Sequence, residues 1–270
     1  MKKKLQLAKA GLVAAIGLSF ASTALAAIHE EAVTYKDGDT VLKGYIVYDD
    51  ASKAKRPGII VVHEWWGINK HMQDEARRYA GEGYTAFVAD MYGDGKTADN
   101  PKDAGAMVGF LKNNPVLMKS RFDAAKDALS SNATVDASRI GAAGYSFGGS
   151  VVLDGVRADS DLKGVVVFYS MLVASASNAE AGKVKSKVLV LNGGADPVIK
   201  PESIDAFNKE MTDAKVDYRY VSYPGVKHAY SNPEATEKAK QFKLPFAYNP
   251  ETTMQANAEA SKFFSDVFRK

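Results

Sequence analysis

Short, unbroken apolar runs recur along this chain, separated by stretches of helical spacing, and that alternation restricts the fold more than any other feature. The runs are GIIVV (58–62), YTAFVA (84–89), RIGAAGY (139–145), KGVVVFY (163–169), KVLVLN (187–192) and YRYVSY (218–223). A strand with one wet face alternates apolar and polar residues, whereas an unbroken run is buried on both faces, as in parallel sheets covered by helices. Between the runs, Ile204, Phe207 and Met211 stand three and four apart, and Ala256, Ala260, Phe263, Phe264 and Val267 share one side of a final helix. Ahead of the first run, EAVTY and TVLKGYIVYD flank the turn residues Lys36, Asp37, Gly38 and Asp39, which predicts an N-terminal β-hairpin. The expected fold is α/β, a mostly parallel central sheet with that hairpin and with helices on both faces. In such sheets functional residues sit on loops at the carboxyl ends of the strands.

One of those loops reads GAAGYSFGGS. Ser146 follows the run RIGAAGY and precedes SVVLDGV, so Gly144, Tyr145, Ser146, Phe147 and Gly148 form a G-x-S-x-G between a strand and a helix. In a turn that sharp, a Cβ at Gly144 or Gly148 would collide with its neighbours, and the serine is lifted above the sheet. A phosphate-binding loop would need Gly-Lys-Ser/Thr, but Gly149 is followed by Ser150, and no G-x-G-x-x-G follows any strand. A turn serine acting as a helix cap is the plain alternative.

A serine hydroxyl is a weak nucleophile until a base takes its proton. The chain has four histidines, His29, His63, His71 and His228. His71 lies in the polar stretch NKHMQDEARR and is expected on a solvated helix face. His228, in the loop YPGVKHAY after the last strand, fits the order serine, acid, histidine. The acid is expected to be Asp196 in LNGGADPVIK, where a buried carboxylate would orient His228 and stabilise its imidazolium. Asp154 and Asp205 fall within helical stretches and are expected to be surface charges.

The segment HEWWG, His63 to Gly67, directly follows GIIVV. It is not a zinc-protease HExxH, because the second histidine position is Gly67. The loop after this strand commonly supplies one oxyanion-hole N–H, with the other coming from the residue after the nucleophile, so Trp65 and Phe147 are assigned those backbone roles. Glu64 beside two tryptophans would be costly to bury without a partner and is expected to have a function. Trp66, Tyr92, Tyr145 and Tyr230, aromatics in the same loops, are expected to line the substrate pocket.

Taken in order, HEWWGIN, VADMYG, GYSFGG, GGADP, GVKHAY and SNPEATEKAKQFKLPFAYNPE make a chain that resembles the dienelactone hydrolases, a branch of the α/β-hydrolase fold. The resemblance spans essentially all of the sequence after the N-terminal segment. It implies a triad of Ser146, Asp196 and His228 and an active-site glutamate at Glu64. Where the family's nucleophile is cysteine, that glutamate helps to generate the thiolate; a carboxylate is far too weak a base to ionise a serine hydroxyl, so here Glu64 is expected to position the resting hydroxyl or a water. The arginines with which the family holds a substrate carboxylate fall near Asp94 and Asn232, neither of which can replace them, so neutral esters or lactones are expected instead. Lys96 and Lys227 are the nearest cations in sequence. The reading is a serine hydrolase of small esters or lactones with no cofactor or metal. Its alternatives are a non-catalytic periplasmic binding protein that keeps the fold, and an acyltransferase using the same residues.

The N-terminus adds a location. MKKKLQLAKA is basic and acid-free, GLVAAIGLSF is a short apolar core, and ASTALA ends in small residues at Ala24 and Ala26, which together read as a secretory signal peptide. A membrane anchor would need about twenty apolar residues, and this segment is broken by Gly, Ser and Thr. With no twin arginine and no cysteine to carry a lipid, residues 27–270 are expected to be a single periplasmic domain, a monomer free of the membrane. The formal charge of +3 becomes −1 once Lys2, Lys3, Lys4 and Lys9 leave, which removes the basic surface a nucleic acid would need. The exported chain is expected to begin at Ala27. Intact mass of a periplasmic extract checks this, and a mass that includes the first 26 residues would refute it.

Overall fold

The computed structural model describes residues 28–158 and 160–269, so the segment read as a signal peptide lies outside the described residues. The N-terminal hairpin is β1 (Ile28–Asp37) and β2 (Thr40–Asp49), closed by Gly38 and Asp39 alone, with Gly38 at φ 56°. A two-residue hairpin loop of this hand needs positive φ, which glycine adopts without a Cβ clash. The six apolar runs become β3 (Arg56–Val62), β4 (Thr85–Ala89), β5 (Val135–Tyr145), β6 (Gly164–Phe168), β7 (Lys187–Gly193) and β8 (Tyr218–Tyr223). They join the hairpin in one eight-stranded sheet of order β1-β2-β4-β3-β5-β6-β7-β8. Pairing is antiparallel from β1 through β2 to β4 and parallel from there on.

Period-two alternation divides the central strands between two cores. Ile59 and Val61 face a layer with α1 (Lys70–Gly81) and the final helix α7 (Pro250–Phe268), through Met72, Ala76, Tyr79 and Phe264. Ile60 and Val62 face α3 (Pro115–Ser130), α4 (Phe147–Arg157) and α5 (Pro201–Asp213), through Phe122, Val151 and Phe207. Two further helices, α2 (Pro101–Lys112) and α6 (Ala235–Phe242), complete the order. No helix among the described residues is long and apolar enough to cross a membrane.

Two expectations about polar residues are corrected. His71 is buried at 6% exposure, because α1 turns His71, Met72, Glu75, Ala76 and Tyr79 toward the sheet. The polar members of that face are satisfied internally: Glu75 accepts from the Tyr145 hydroxyl at 2.8 Å and from Arg78 Nε at 2.9 Å. Asp205 is exposed as expected, but Asp154 is largely buried, accepting from Arg157 at 3.1 Å and from the Ser175 amide at 3.2 Å.

The order of the central strands also locates a crevice. The chain runs from β3 to β4 on one side and then crosses to β5 on the other, so the loops leaving β3 and β5 diverge. The carboxyl ends of these strands lie together, Val62 opposite Gly144. In open parallel sheets a ligand site forms at such a switch point.

Candidate active site

At that point β5 ends at Tyr145 and α4 begins at Phe147, leaving Ser146 as the whole connection. Its backbone sits at φ 52° and ψ −114°, a strained conformation for a residue with a Cβ, costing on the order of 1–3 kcal/mol. Hydrogen bonds on both sides hold it there: the Ser146 amide donates to Phe168 O at 3.0 Å, and Ser146 O accepts from Ser170 Oγ at 2.6 Å. The flanking glycines are required sterically, since a Cβ on Gly144 would lie 2.3 Å from Gly148 O and one on Gly148 would lie 2.2 Å from Val62 O.

The loop after β8 brings His228 to this turn. Its Nε2 lies 2.8 Å from Ser146 Oγ and its Nδ1 2.7 Å from Asp196 Oδ2. A carboxylate only accepts, so the Nδ1 proton is donated to Asp196 and the Nε2 lone pair faces the serine hydroxyl. Asp196 comes from the turn after β7 and is fixed by the Val198 amide, which donates to its Oδ1 at 2.9 Å. The His228 ring is wedged between Tyr169 and Phe246, with centroids at 5.3 and 4.8 Å. This arrangement lets a hydroxyl lose its proton to a base as it attacks a carbonyl.

Glu64 is 2% exposed and has the partners its burial requires: the Asn232 amide donates to Oε2 at 2.6 Å and the Tyr169 hydroxyl to Oε1 at 3.2 Å. Burial, reinforced by the Glu64 carboxylate, holds the Tyr169 hydroxyl protonated well beyond the usual phenol range, so it stays a donor. Ser146 Oγ is held by His228, and Glu64 is held by Asn232 and Tyr169, so of the two expected roles for Glu64, positioning the resting hydroxyl or a water, the first is not the contact made here. Asn232 is buried and turned onto Glu64, while Asp94 points to solvent and pairs with Lys43 at 2.6 Å.

Phe147 is the first residue of α4, whose opening N–H groups have no partner within the helix. Trp65 is the second residue of a turn closed by Gly67 N–H on Glu64 O at 3.3 Å, so its own N–H is not consumed by that bond. The pocket assignments fare unevenly. Tyr145 and Tyr230 are fully buried in the core, their hydroxyls donating to Glu75 and to Leu191 O at 3.0 Å, so they do not line a pocket. Trp66 and Tyr92 lie beneath the loop surface. Trp66 packs on Phe242 under Lys238 Nζ, 4.7 Å above its ring, and the Tyr92 hydroxyl donates to Trp65 O at 2.9 Å.

Tyr169 and Ser170 escaped the sequence reading, although they sit where the rule for strand ends directs attention, at the end of KGVVVFY. Tyr169 adopts φ 38°, and its hydroxyl reaches Ser231 Oγ at 2.9 Å as well as Glu64. Ser170 is fixed by Asn192, whose Oδ1 accepts from the Ser170 amide at 3.0 Å.

Residues 42–268 match the family model described as the dienelactone hydrolase family. "Protein usf" of Aquifex pyrophilus is 29% identical over 205 residues, 74% of this chain and 86% of that protein. A putative carboxymethylenebutenolidase of Salmonella typhimurium is 30% identical over 201 residues, 70% of this chain and 73% of that protein. A dienelactone hydrolase-like promiscuous phosphotriesterase from metagenomic libraries has a crystal structure that superposes with a TM-score of 0.83. It is 28% identical, and the match covers 90% of this chain and all of that one.

In Glu64→Gln the amide oxygen can still accept from Asn232, and the Tyr169 hydroxyl can turn to accept from the new amide N–H and donate to Ser231 Oγ, so the variant is expected to fold and to retain measurable ester turnover. Steady-state rates beside a thermal unfolding midpoint check this. Loss of turnover as complete as in His228→Ala, with the midpoint unchanged, would place Glu64 in the proton path.

Proposed function

The chain belongs to the dienelactone hydrolase family and is a hydrolase acting on esters or lactones, and on that premise we propose that it is an exported serine hydrolase working through an acyl-enzyme on Ser146. The observation that carries the reading is the continuous contact from Ser146 Oγ through His228 to the buried Asp196, at 2.8 and 2.7 Å, on a backbone strained to present that serine.

Ser146 Oγ attacks the substrate carbonyl as its proton passes to His228 Nε2. The carbonyl π pair becomes an oxyanion facing the N–H groups of Trp65 and Phe147, where fixed dipoles stabilise it. Collapse expels the alkoxide, which takes the proton from His228 and leaves the acyl group on Ser146. Water, losing its proton to His228, then attacks the ester carbonyl, and collapse breaks the bond to Ser146 Oγ, which takes the proton back from His228 as the carboxylic acid leaves. Asp196 keeps the imidazole in the tautomer that can accept and stabilises its charged form. An alcohol in place of water would make the same steps an acyl transfer. A non-catalytic binding role has less support, because it gives no reason to retain both the strained Ser146 backbone and its linkage to a histidine and an acid.

For the substrate, a neutral ester or lactone suits the site better than a carboxylate. Asn232 spends its amide on Glu64, Asp94 faces solvent, and the anionic Glu64 disfavours a second anion nearby. Hydrogen bonds to charged groups are worth about 1.5–3 kcal/mol each, so lacking an arginine fork costs carboxylate recognition orders of magnitude. The test is a panel of a lactone carboxylate and its methyl ester, run on the wild type, Ser146→Ala, His228→Ala and the double variant. Each single change is expected to lower turnover of the methyl ester by roughly a thousandfold or more, with the double costing little beyond either, because residues acting as one unit are not additive. Additive losses would mean that the two are not partners. A preference for the free carboxylate that weakens with salt would reveal a cation holding it.

A further inference from the structure

His63 lies immediately before Glu64, is fully buried, and takes no part in the proton transfers above. Its Nδ1 lies 2.6 Å from Glu64 O, and its Nε2 lies 3.3 Å from the Met91 amide nitrogen. A carbonyl oxygen can only accept and a peptide N–H can only donate, so the two contacts together fix the ring as the neutral tautomer with its proton on Nδ1. Burial also opposes protonation and holds the ring below the usual histidine range.

The bond to Glu64 O has a geometric consequence one atom further on. A peptide unit is planar and trans, so its C=O and N–H leave in opposite directions. Fixing Glu64 O fixes the direction of the Trp65 N–H. The Tyr92 hydroxyl pins the next peptide through Trp65 O at 2.9 Å. The same rings also touch the other donor: Phe147 lies 6.0 Å from His63 and is stacked 5.9 Å from Tyr92, and His63 and Tyr92 are 4.8 Å apart. One packed cluster thus touches both residues assigned to the oxyanion, Trp65 through its peptide and Phe147 through its ring.

We propose that His63 is a positioning residue of the oxyanion hole, its Nδ1–H setting, through the Glu64–Trp65 peptide, where the Trp65 N–H stands when charge develops, with the Tyr92 hydroxyl as a second strut. The proposal rests on Ser146 being the nucleophile. An N–H aimed at the oxyanion is felt in the transition state and hardly in the bound ester, so its misalignment lowers kcat and leaves KM alone.

The experiment compares His63→Leu and His63→Asn in the full chain. It reads kcat and KM on a p-nitrophenyl ester, affinity for a trifluoromethyl ketone that forms a tetrahedral anion on serine, and the thermal unfolding midpoint. Leucine offers no donor to Glu64 O, whereas the asparagine amide takes the place of Nδ1–H; neither supplies an acceptor to Met91. Removing one oxyanion donor typically costs about 10²–10³ in kcat, so misaiming one in His63→Leu is expected to cost about ten- to a hundredfold. KM should stay within about twofold, and ketone affinity should fall by the same factor as kcat/KM. His63→Asn should recover most of both losses despite lacking the Met91 contact. Equal losses in the two variants, or unchanged ketone affinity in His63→Leu, would overturn the proposal and leave His63 a packing residue. If His63→Leu does not fold, Tyr92→Phe carries the test, expected to lower kcat and ketone affinity together, and no change in either would overturn it. Ser146→Ala runs alongside: turnover surviving in that variant would instead overturn the serine reading on which the inference stands.

Discussion

The site depends on how closely the turn after β5 approaches the end of β3. Gly148 sits so near the end of β3 that a single added carbon would lie 2.2 Å from Val62 O and 2.8 Å from His63 O, just beyond the strand. That approach sets the turn that carries Ser146 and Phe147 beside the HEWWG loop that carries Glu64 and Trp65. It also forces the Ser146 backbone into positive φ, a cost on the order of 1–3 kcal/mol. Hydrogen bonds are worth about 1 kcal/mol each net, and those from the Ser146 amide to Phe168 O and from Ser170 Oγ to Ser146 O offset it. The strands on either side of β5 therefore supply both the geometry and the stabilisation of the turn.

Beneath this turn runs a buried polar layer that the chemistry alone would not require. Glu64 is joined through the Tyr169 hydroxyl to Ser231, and Ser231 Oγ lies 3.3 Å from His71 Nε2. Four residues further along α1, Glu75 is held by Tyr145 and Arg78, and Arg78 reaches Glu82 at 2.8 Å toward the surface. A buried carboxylate without partners is expensive, and one that is fully hydrogen-bonded becomes a rigid fixture. Glu64 is such a fixture, and it ties the loop after β3 to Tyr169 after β6 and to Asn232 beyond β8, three connections that the sheet itself leaves independent.

The strands and the residues that meet at Ser146, His228 and Asp196, were legible in the sequence because each leaves a local trace. Unbroken apolar runs mark strands buried on both faces, and G-x-S-x-G between a strand and a helix allows few readings. His228 and Asp196 could be picked out because strand-end loops narrow the candidates to a few residues. Side-chain direction was not legible. Tyr145 belongs to the motif, yet period-two alternation sends its ring into the core to bond Glu75, and Tyr230, two residues past His228, turns in to Leu191 O. His71 misled for a related reason. The polar composition of NKHMQDEARR suggests a wet helix, and only the partners contributed by distant strands and loops, Tyr145, Tyr169 and Ser231, make a buried polar face tolerable. The neighbours of Glu64 were invisible for the same cause, since Tyr169 and Asn232 lie 105 and 168 residues away.

The proposed chemistry stands on one group, the strained, histidine-linked Ser146, being the one that attacks. Labelling the full chain with a fluorophosphonate and measuring the mass of its peptides tests it most directly, because the reagent needs an activated nucleophile and leaves a covalent mark. One adduct is expected, on Ser146, that abolishes ester turnover as it forms and is absent from Ser146→Ala. An adduct on another residue, or full turnover of esters by protein labelled at Ser146, would contradict it.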